Sequence, residues 1–529
     1  MESEPRSRMR AAGVLAAAGV VAVCATLIGR VPAAVRAGGT LTMATATPLA
    51  GADGGTEPRY TVTPNGKHYA ISNKGGTAFV WESDNGLTHW HATNSTGIAN
   101  QSAPSIDVDL VSMPAGAKHP GRLIAVELDF GGINFRISYS DDGGATWTPS
   151  SELGIPNAPA NELGDQDRPW LATGPHDRAY LLFHNLASGA ATHHMFVSTS
   201  TDDGASFGPV VDSAPPGTQA YLDLQCADSG GPSNIFVNQR DGRVYALFGT
   251  RSSTVGGGCG ASATGSFEIN VVAATRVWVA TAAESAATSE TGWQQSLAVD
   301  DNAKGQIVGM QLAPGAIDSA GNVYILYPES LHQYPDYDGA AIKYVHASET
   351  NVVSNPYGLG GPANHVWAKP VIVAPSGGAG HLLPHIVAGA RGEIDMAYFD
   401  GVEIPHANPP TTAKWYLETA QTVDALAASP SISHYRERYP GSPPVPEPAY
   451  SGWTASQMMG ACGNSVQNGT TCNRSTDVWG IALDNQGNLQ VAWPSASPGD
   501  FGCNGSKTAP PCTTWVSSQI RGVSIAPVP

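Results

Sequence analysis

The chain has 529 residues and a formal net charge of −17 at pH 7, with 27 Lys and Arg against 44 Asp and Glu. That balance excludes nucleic acid as a partner, since both duplexes and single strands recruit a basic face. With 61 Gly, 40 Pro and no long helical period after residue 40, the composition fits many short strands joined by turns.

The chain opens on a targeting segment, residues 1–40. Arg6, Arg8 and Arg10 precede an apolar run from Ala11 to Gly29 and then small residues, the pattern of a secretory signal. Cleavage fits after Val35-Arg36-Ala37 or Ala44-Thr45-Ala46, and the run is also long enough for an uncleaved anchor. Both readings place the protein outside the cell, with no membrane contact beyond that N-terminal anchor. Without Cys24, six cysteines remain: Cys226, Cys259, Cys462, Cys472, Cys503 and Cys512. Fifteen pairings are open. Nearness in the chain favours Cys226–Cys259, Cys462–Cys472 and Cys503–Cys512, each stapling a Gly-rich loop in an oxidising compartment.

Residues 50–529 read as one domain of repeated hairpins. A short strand, a turn and an apolar strand recur around Asn65-Gly66, Gly121, His176-Asp177, Asp241-Gly242, Asp318–Asn322, Arg391-Gly392 and Asp484–Asn488. The units begin near residues 59, 103, 168, 233, 308, 384 and 477. The spacing suits four-stranded blades with insertions, at 345–380 and 405–470. The count is seven, or six if one unit is itself an insertion.

A second repeat lies between the hairpins. Ser140 to Trp147 reads S-x-D-x-G-x-T-W, and Ser200 to Phe207 reads S-x-D-x-G-x-S-F. A looser copy runs from Asp84 to Trp90. A hydroxyl and a carboxylate two residues apart accept backbone N–H bonds within a tight turn, and the glycine supplies the conformation other residues resist. Each turn has too few carboxylates for the six to eight oxygens of a calcium site.

These turns resemble the Asp-box of the sialidase-type β-propellers, as in bacterial exo-α-sialidases. The resemblance implies an all-β propeller of four-stranded blades with the boxes in the turns between the third and fourth strands. The working face is then the opposite one, where first strands begin and second strands end. First-strand starts there include Arg59, Asp167, Arg168, His385 and Arg474. Second-strand ends include Asp129, His184, Tyr327, Glu329 and Asp400.

The resemblance further implies a secreted glycoside hydrolase acting on extracellular glycans. Arg59, Arg168 and Arg474 would hold the substrate carboxylate beside Asp167. Asp129 would serve as acid/base, and Tyr327 with Glu329 as nucleophile and base. No cofactor is expected. The histidines His89, His91, His193, His194, His381 and His385 lack a metal-site spacing, and Asp336-Tyr337-Asp338-Gly339 is the place for a structural calcium. The family's early Arg-Ile-Pro has no counterpart at Ala103-Pro104-Ser105-Ile106. A non-catalytic glycan- or protein-binding propeller is therefore the alternative, with a polysaccharide lyase using His184 or His385 as base a further one.

Overall fold

In a computed structural model of the chain, the described residues are 39–525. Segments 54, 75–76, 94–104, 130–134, 151–165, 186–192, 227–230, 252–273, 302–307, 309–312, 331–338, 358–365, 406–412, 441–445, 459–478 and 496–512 stand outside the description.

The strands form seven antiparallel sheets of four strands, A to D, in chain order in six of them and with an extra segment on two. The A strands are Gly55–Val62, Ser105–Ser112, Gln166–Gly174, Pro232–Val237, Gly315–Ile317, Gly380–Ala388 and Gly480–Leu483. Together they line a central channel, so the protein is a seven-bladed β-propeller. The sequence places six of these starts within four residues. Blade 5 begins at Gly315 rather than 308, where Val308 makes only an isolated bridge to Glu329.

The apolar B strands explain the ring. In blade 3, Tyr180 and Leu182 enter one hydrophobic core while Leu181 and Phe183 enter another. In blade 5, Tyr324 and Leu326 face one core and Val323, Ile325 and Tyr327 face its neighbour. Successive side chains point to opposite faces, and each face packs against a different blade, so these strands carry no polar alternation.

The ring closes through the N-terminus. The outer strand of blade 7 is Thr42–Met43, paired with Thr513–Arg521, so residues ahead of position 50 belong to the propeller. The two long spans also hold blade strands. Residues 345–380 include the end of strand Ala341–Ser348, a short helix Glu349–Ser354 and the outer strand Val371–Ala374. Residues 405–470 include strands Ala413–Thr422 and Ser433–Arg436, and Tyr450–Trp453 as the extra edge segment.

The repeated turns are hydrogen-bonded units. Ser200 Oγ donates to Asp202 Oδ1 at 2.9 Å, and Asp202 accepts from Ser206 N at 2.8 Å and Ser206 Oγ at 2.6 Å. Ser140, Asp142 and Thr146 repeat the pattern at 2.9, 2.8 and 2.6 Å. In the looser copy Asn85 stands in for the aspartate, accepting from Leu87 N and Thr88 N. Trp147, Phe207 and Trp90 close the turns as buried side chains. The neighbouring aspartates act between blades: buried Asp203 accepts from His119 Nδ1 at 2.7 Å, in the A–B turn of blade 2. These turns lie on the A–B turn side of the ring.

One buried acid reports on pH. Asp395 accepts from Gln421 Nε2 at 2.7 Å, and Gln421 also bonds the Val523 carbonyl at 2.7 Å. Burial pushes the Asp395 carboxyl up to about 8, against that hydrogen bond and helped by the Glu393 charge. Unfolded, it titrates near 4. Between those values the folded chain keeps a proton that the unfolded chain has lost. Stability is therefore fully present below pH 4 and falls as pH rises to 8. Asp395→Asn is expected to stabilise the fold by about 2 kcal/mol at pH 5 and by several kcal/mol at pH 9. Denaturant melts at the two pH values check this, and equal gains at both would refute it.

Candidate active site

Three A strands enter the channel mouth in the same way. Glu57-Pro58-Arg59, Arg168-Pro169-Trp170 and Leu383-Pro384-His385 each place a left-handed residue before proline, with φ of 50°, 56° and 52°. The ladder register breaks at each of these places, between Thr56 and Arg59, Asp167 and Trp170, and Leu382 and His385. Proline cannot donate to the ladder and tolerates a bulge. The bulge re-aims the residue after the proline, and Arg59, Trp170 and His385 all line the channel. A side chain held left-handed costs on the order of 1–3 kcal/mol, the kind of strain that clusters at functional sites. This x-Pro-x entry is a sequence signal separate from the hairpin and Asp-box repeats.

Two linked groups result. In the first, Arg59 stacks over Trp170 at 4.3 Å, its Nη1 donates to the Trp479 carbonyl at 3.4 Å, and its Nε lies 3.5 Å from Asp109. His385 packs edge-on against Trp479, with ring centroids 4.4 Å apart. Asp109 also accepts from Leu110 N at 2.8 Å and Leu171 N at 2.6 Å, tying blade 2 to blade 3. Burial lowers the Arg59 guanidinium from its usual value, and the carboxylates of Asp109, Glu57 and Asp107 offset part of that. Burial and the Arg59 charge hold His385 far below the usual imidazole range, so its ring is neutral.

The second group centres on Asp167. Its Oδ2 lies 3.6 Å from His184 Nε2 and 3.7 Å from Arg168 Nε, and a side-chain hydrogen bond links it to Asp107. Burial raises the Asp167 carboxyl, but His184, Arg168 and Asp107 outweigh it and leave it below the usual carboxylate range. The site therefore brings two acidic side chains, Asp107 and Asp167, together beside His184 and Arg168, plus a further buried acid, Glu57, close to Arg59.

The other expected residues fall elsewhere. Asp129 ends the B strand of blade 2, paired in register with Ser105. Arg474 lies outside the described residues, as do Asp336 and Asp338 of the calcium loop. Tyr327 is fully buried in the core between blades 4 and 5 and does not line the channel. Burial, with the Glu329 and Asp301 charges, pushes its phenol well above the usual range, the reverse of what activates a nucleophile. Glu329 is ion-paired with Lys343, and burial and a hydrogen bond with Asp301 raise its carboxyl. Tyr327→Phe removes a hydroxyl with no hydrogen-bond partner among the described residues. It is expected to change turnover by less than about twofold, whereas loss of a nucleophile costs orders of magnitude. Steady-state kinetics decide between them.

Among the described residues no three His, Cys, Asp or Glu side chains form a group able to hold a metal. His194 is bound to Asp212 at 2.7 Å and stacked on Phe196, and His381 lies 3.3 Å from Asp400. Cys226 is buried and disulfide-bonded, with its partner outside the described residues.

Fold and site together define a β-propeller with a charge-paired polar mouth. No family model matches the chain, and no curated protein matches it in sequence. Solved structures with a similar trace include the α-L-arabinofuranosidase Arb93A of Fusarium graminearum, at 11% identity and TM-score 0.41 over 91% of this chain and 98% of that one. Another is an α-L-arabinanase of Penicillium chrysogenum complexed with arabinobiose, at 12% and 0.38 over 90% and 98%. A third is the Aleuria aurantia lectin with α-methyl-L-fucoside, at 10% and 0.36 over 75% and 98%. At these values no activity carries over, and the architecture rests on the strand order of the seven sheets.

Proposed function

We propose that the protein is an exported glycoside hydrolase acting on extracellular glycans, with its reaction centre at the heads of the A strands of blades 1 to 3. The single observation that carries this reading is the adjacent pair of acids Asp107 and Asp167, held by His184 and Arg168, which in this reading shares one proton. The pair donates its proton to the glycosidic oxygen as the bond to the anomeric carbon breaks. Glu57 supports attack on that carbon from its place beside Arg59, directly or through water.

The charge balance favours a neutral sugar. Arg59 is engaged by Asp109, and Arg168 lies beside Asp167, so neither is spared for a substrate carboxylate. The second reading is an exo-sialidase, favoured by two arginines belonging to one mouth. The test is hydrolysis of aryl glycosides of neutral pyranoses, neutral furanoses and sialic acid by the purified chain. Turnover of a neutral glycoside alone supports the first reading, and of the sialoside alone the second. Saturable glycan binding with no turnover overturns both in favour of a non-catalytic propeller.

A further inference from the structure

Two cleavage points fit the targeting segment, after Ala37 and after Ala46, and the stretch between them reaches into the propeller. Thr42 pairs with Arg521 and Met43 with Gln519 along the outer edge of blade 7. Ala44 N donates to the Ser518 carbonyl at 2.8 Å, and the Ala44 carbonyl accepts from Ser517 Oγ at 3.0 Å. Ala46 N donates to the Arg438 carbonyl at 2.8 Å, just past the outer strand of blade 6. Leu41, Met43 and Ala46 are 0%, 2% and 1% exposed and share a hydrophobic core with Trp493 and Trp515. Ahead of them, Gly39 and Thr40 are exposed.

A chain cut after Ala46 loses all of these contacts. The Leu41 and Met43 side chains leave the core, and apolar burial is the dominant favourable term in folding. The strand Thr513–Arg521 loses its partner at Gln519 and Arg521, and an edge opened in this way offers unpaired N–H and C=O groups to other chains. A chain cut after Ala37 keeps every one of these contacts, because they all lie downstream of the cut. Length agrees. A secretory signal spans about 15–30 residues, and Ala37 is eight positions past Gly29 where Ala46 is seventeen past it.

We infer that the chain is processed at the Ala37–Gly38 peptide bond, by an export peptidase that recognises the small side chains of Val35 and Ala37, and that residues 39–46 are retained to complete the outer edge of blade 7. Water adds across the bond, leaving a carboxylate on Ala37 and an ammonium on Gly38. The inference rests on the export reading of residues 1–40, so its test follows location and cleavage separately. It is independent of the hydrolase reading, because no readout is activity.

The experiment expresses the full chain in a secreting host and determines intact mass and N-terminal sequence in the secreted, membrane and cytosolic fractions. A secreted chain beginning at Gly38 is expected. Ala37→Tyr is expected to lower the secreted yield about tenfold, with uncut chain held at the membrane and no product beginning at Thr47. Two chains made without the signal then test the retained stretch. The one beginning at Thr47 is expected to melt roughly 5 °C or more below the one beginning at Gly38, or to fail to fold. A secreted chain beginning at Thr47 would overturn the assignment of the cut and leave export standing. Uncut wild-type chain at the membrane would overturn cleavage, and uncut chain in the cytosol would overturn the export reading with it. Equal melts for the two shortened chains would overturn the role of residues 39–46.

Discussion

Asp107→Asn is expected to lower kcat/KM on the best glycoside by about 10²–10⁴-fold, the range that positioned proton transfer contributes. The amide still donates a hydrogen bond to Asp167, so the geometry survives while the transferable proton is gone. Asp167→Asn should fall as far for the opposite reason, since it removes the charge that holds the proton on its neighbour. The wild-type rate should decline on the acid side only below the usual carboxylate range, because His184, Arg168 and Asp107 hold Asp167 down against its burial. It should decline again at higher pH as the shared proton leaves. Steady-state kinetics across pH, with melting curves for each variant, check this. Full activity in folded Asp107→Asn would remove the pair from the mechanism and leave the propeller without an assigned acid.

The second large effect is on stability. Asp109 is buried, accepts from two backbone amides and lies 3.5 Å from the Arg59 guanidinium. Asp109→Ala leaves a buried cation and two amides without their acceptor, and breaking a buried pair from one side costs about 3–5 kcal/mol. The loss should show in denaturant melts at neutral pH. Its mark is recovery: Asp109→Ala combined with Arg59→Met should be more stable than Asp109→Ala alone, because the double change removes the stranded charge as well. If the double variant is the less stable, the penalty comes from the lost amide contacts between blades 2 and 3 rather than from Arg59.

The residues differ in how far the sequence alone places them. Asp142 and Asp202 belong to turns because their partners are two and four residues away, and the structure gives them those partners. Arg59, Arg168, Asp167, His184 and His385 belong to the working face because strand direction puts the starts of A strands and the ends of B strands there. Tyr327 shares that strand-end position, but its side chain points between blades rather than to the channel. Register at a strand end turns on one residue, and one residue reverses the face. Asp107 and Glu57 escape the sequence reading because neither belongs to a motif. The signal for Glu57 is the Glu-Pro-Arg entry, repeated as Arg-Pro-Trp and Leu-Pro-His in two other blades.

The sequence by itself determined the repeated hairpins of the blades, their turns and the apolar B strands, while the count of seven rather than six came from the sheets themselves. Hairpins, turns and strands are written in contacts between neighbours in the chain, where backbone geometry and side-chain alternation act directly. The tertiary structure alone decided which charges meet. Arg59 donates to the Trp479 carbonyl across 420 positions of the chain, and Asp109 reaches Leu171 across 62. The first of these exists only once blades 1 and 7 meet as the ring closes, and the second only once blades 2 and 3 pack together. Burial then makes them matter: inside the channel mouth water no longer screens a carboxylate, so its partners set its charge.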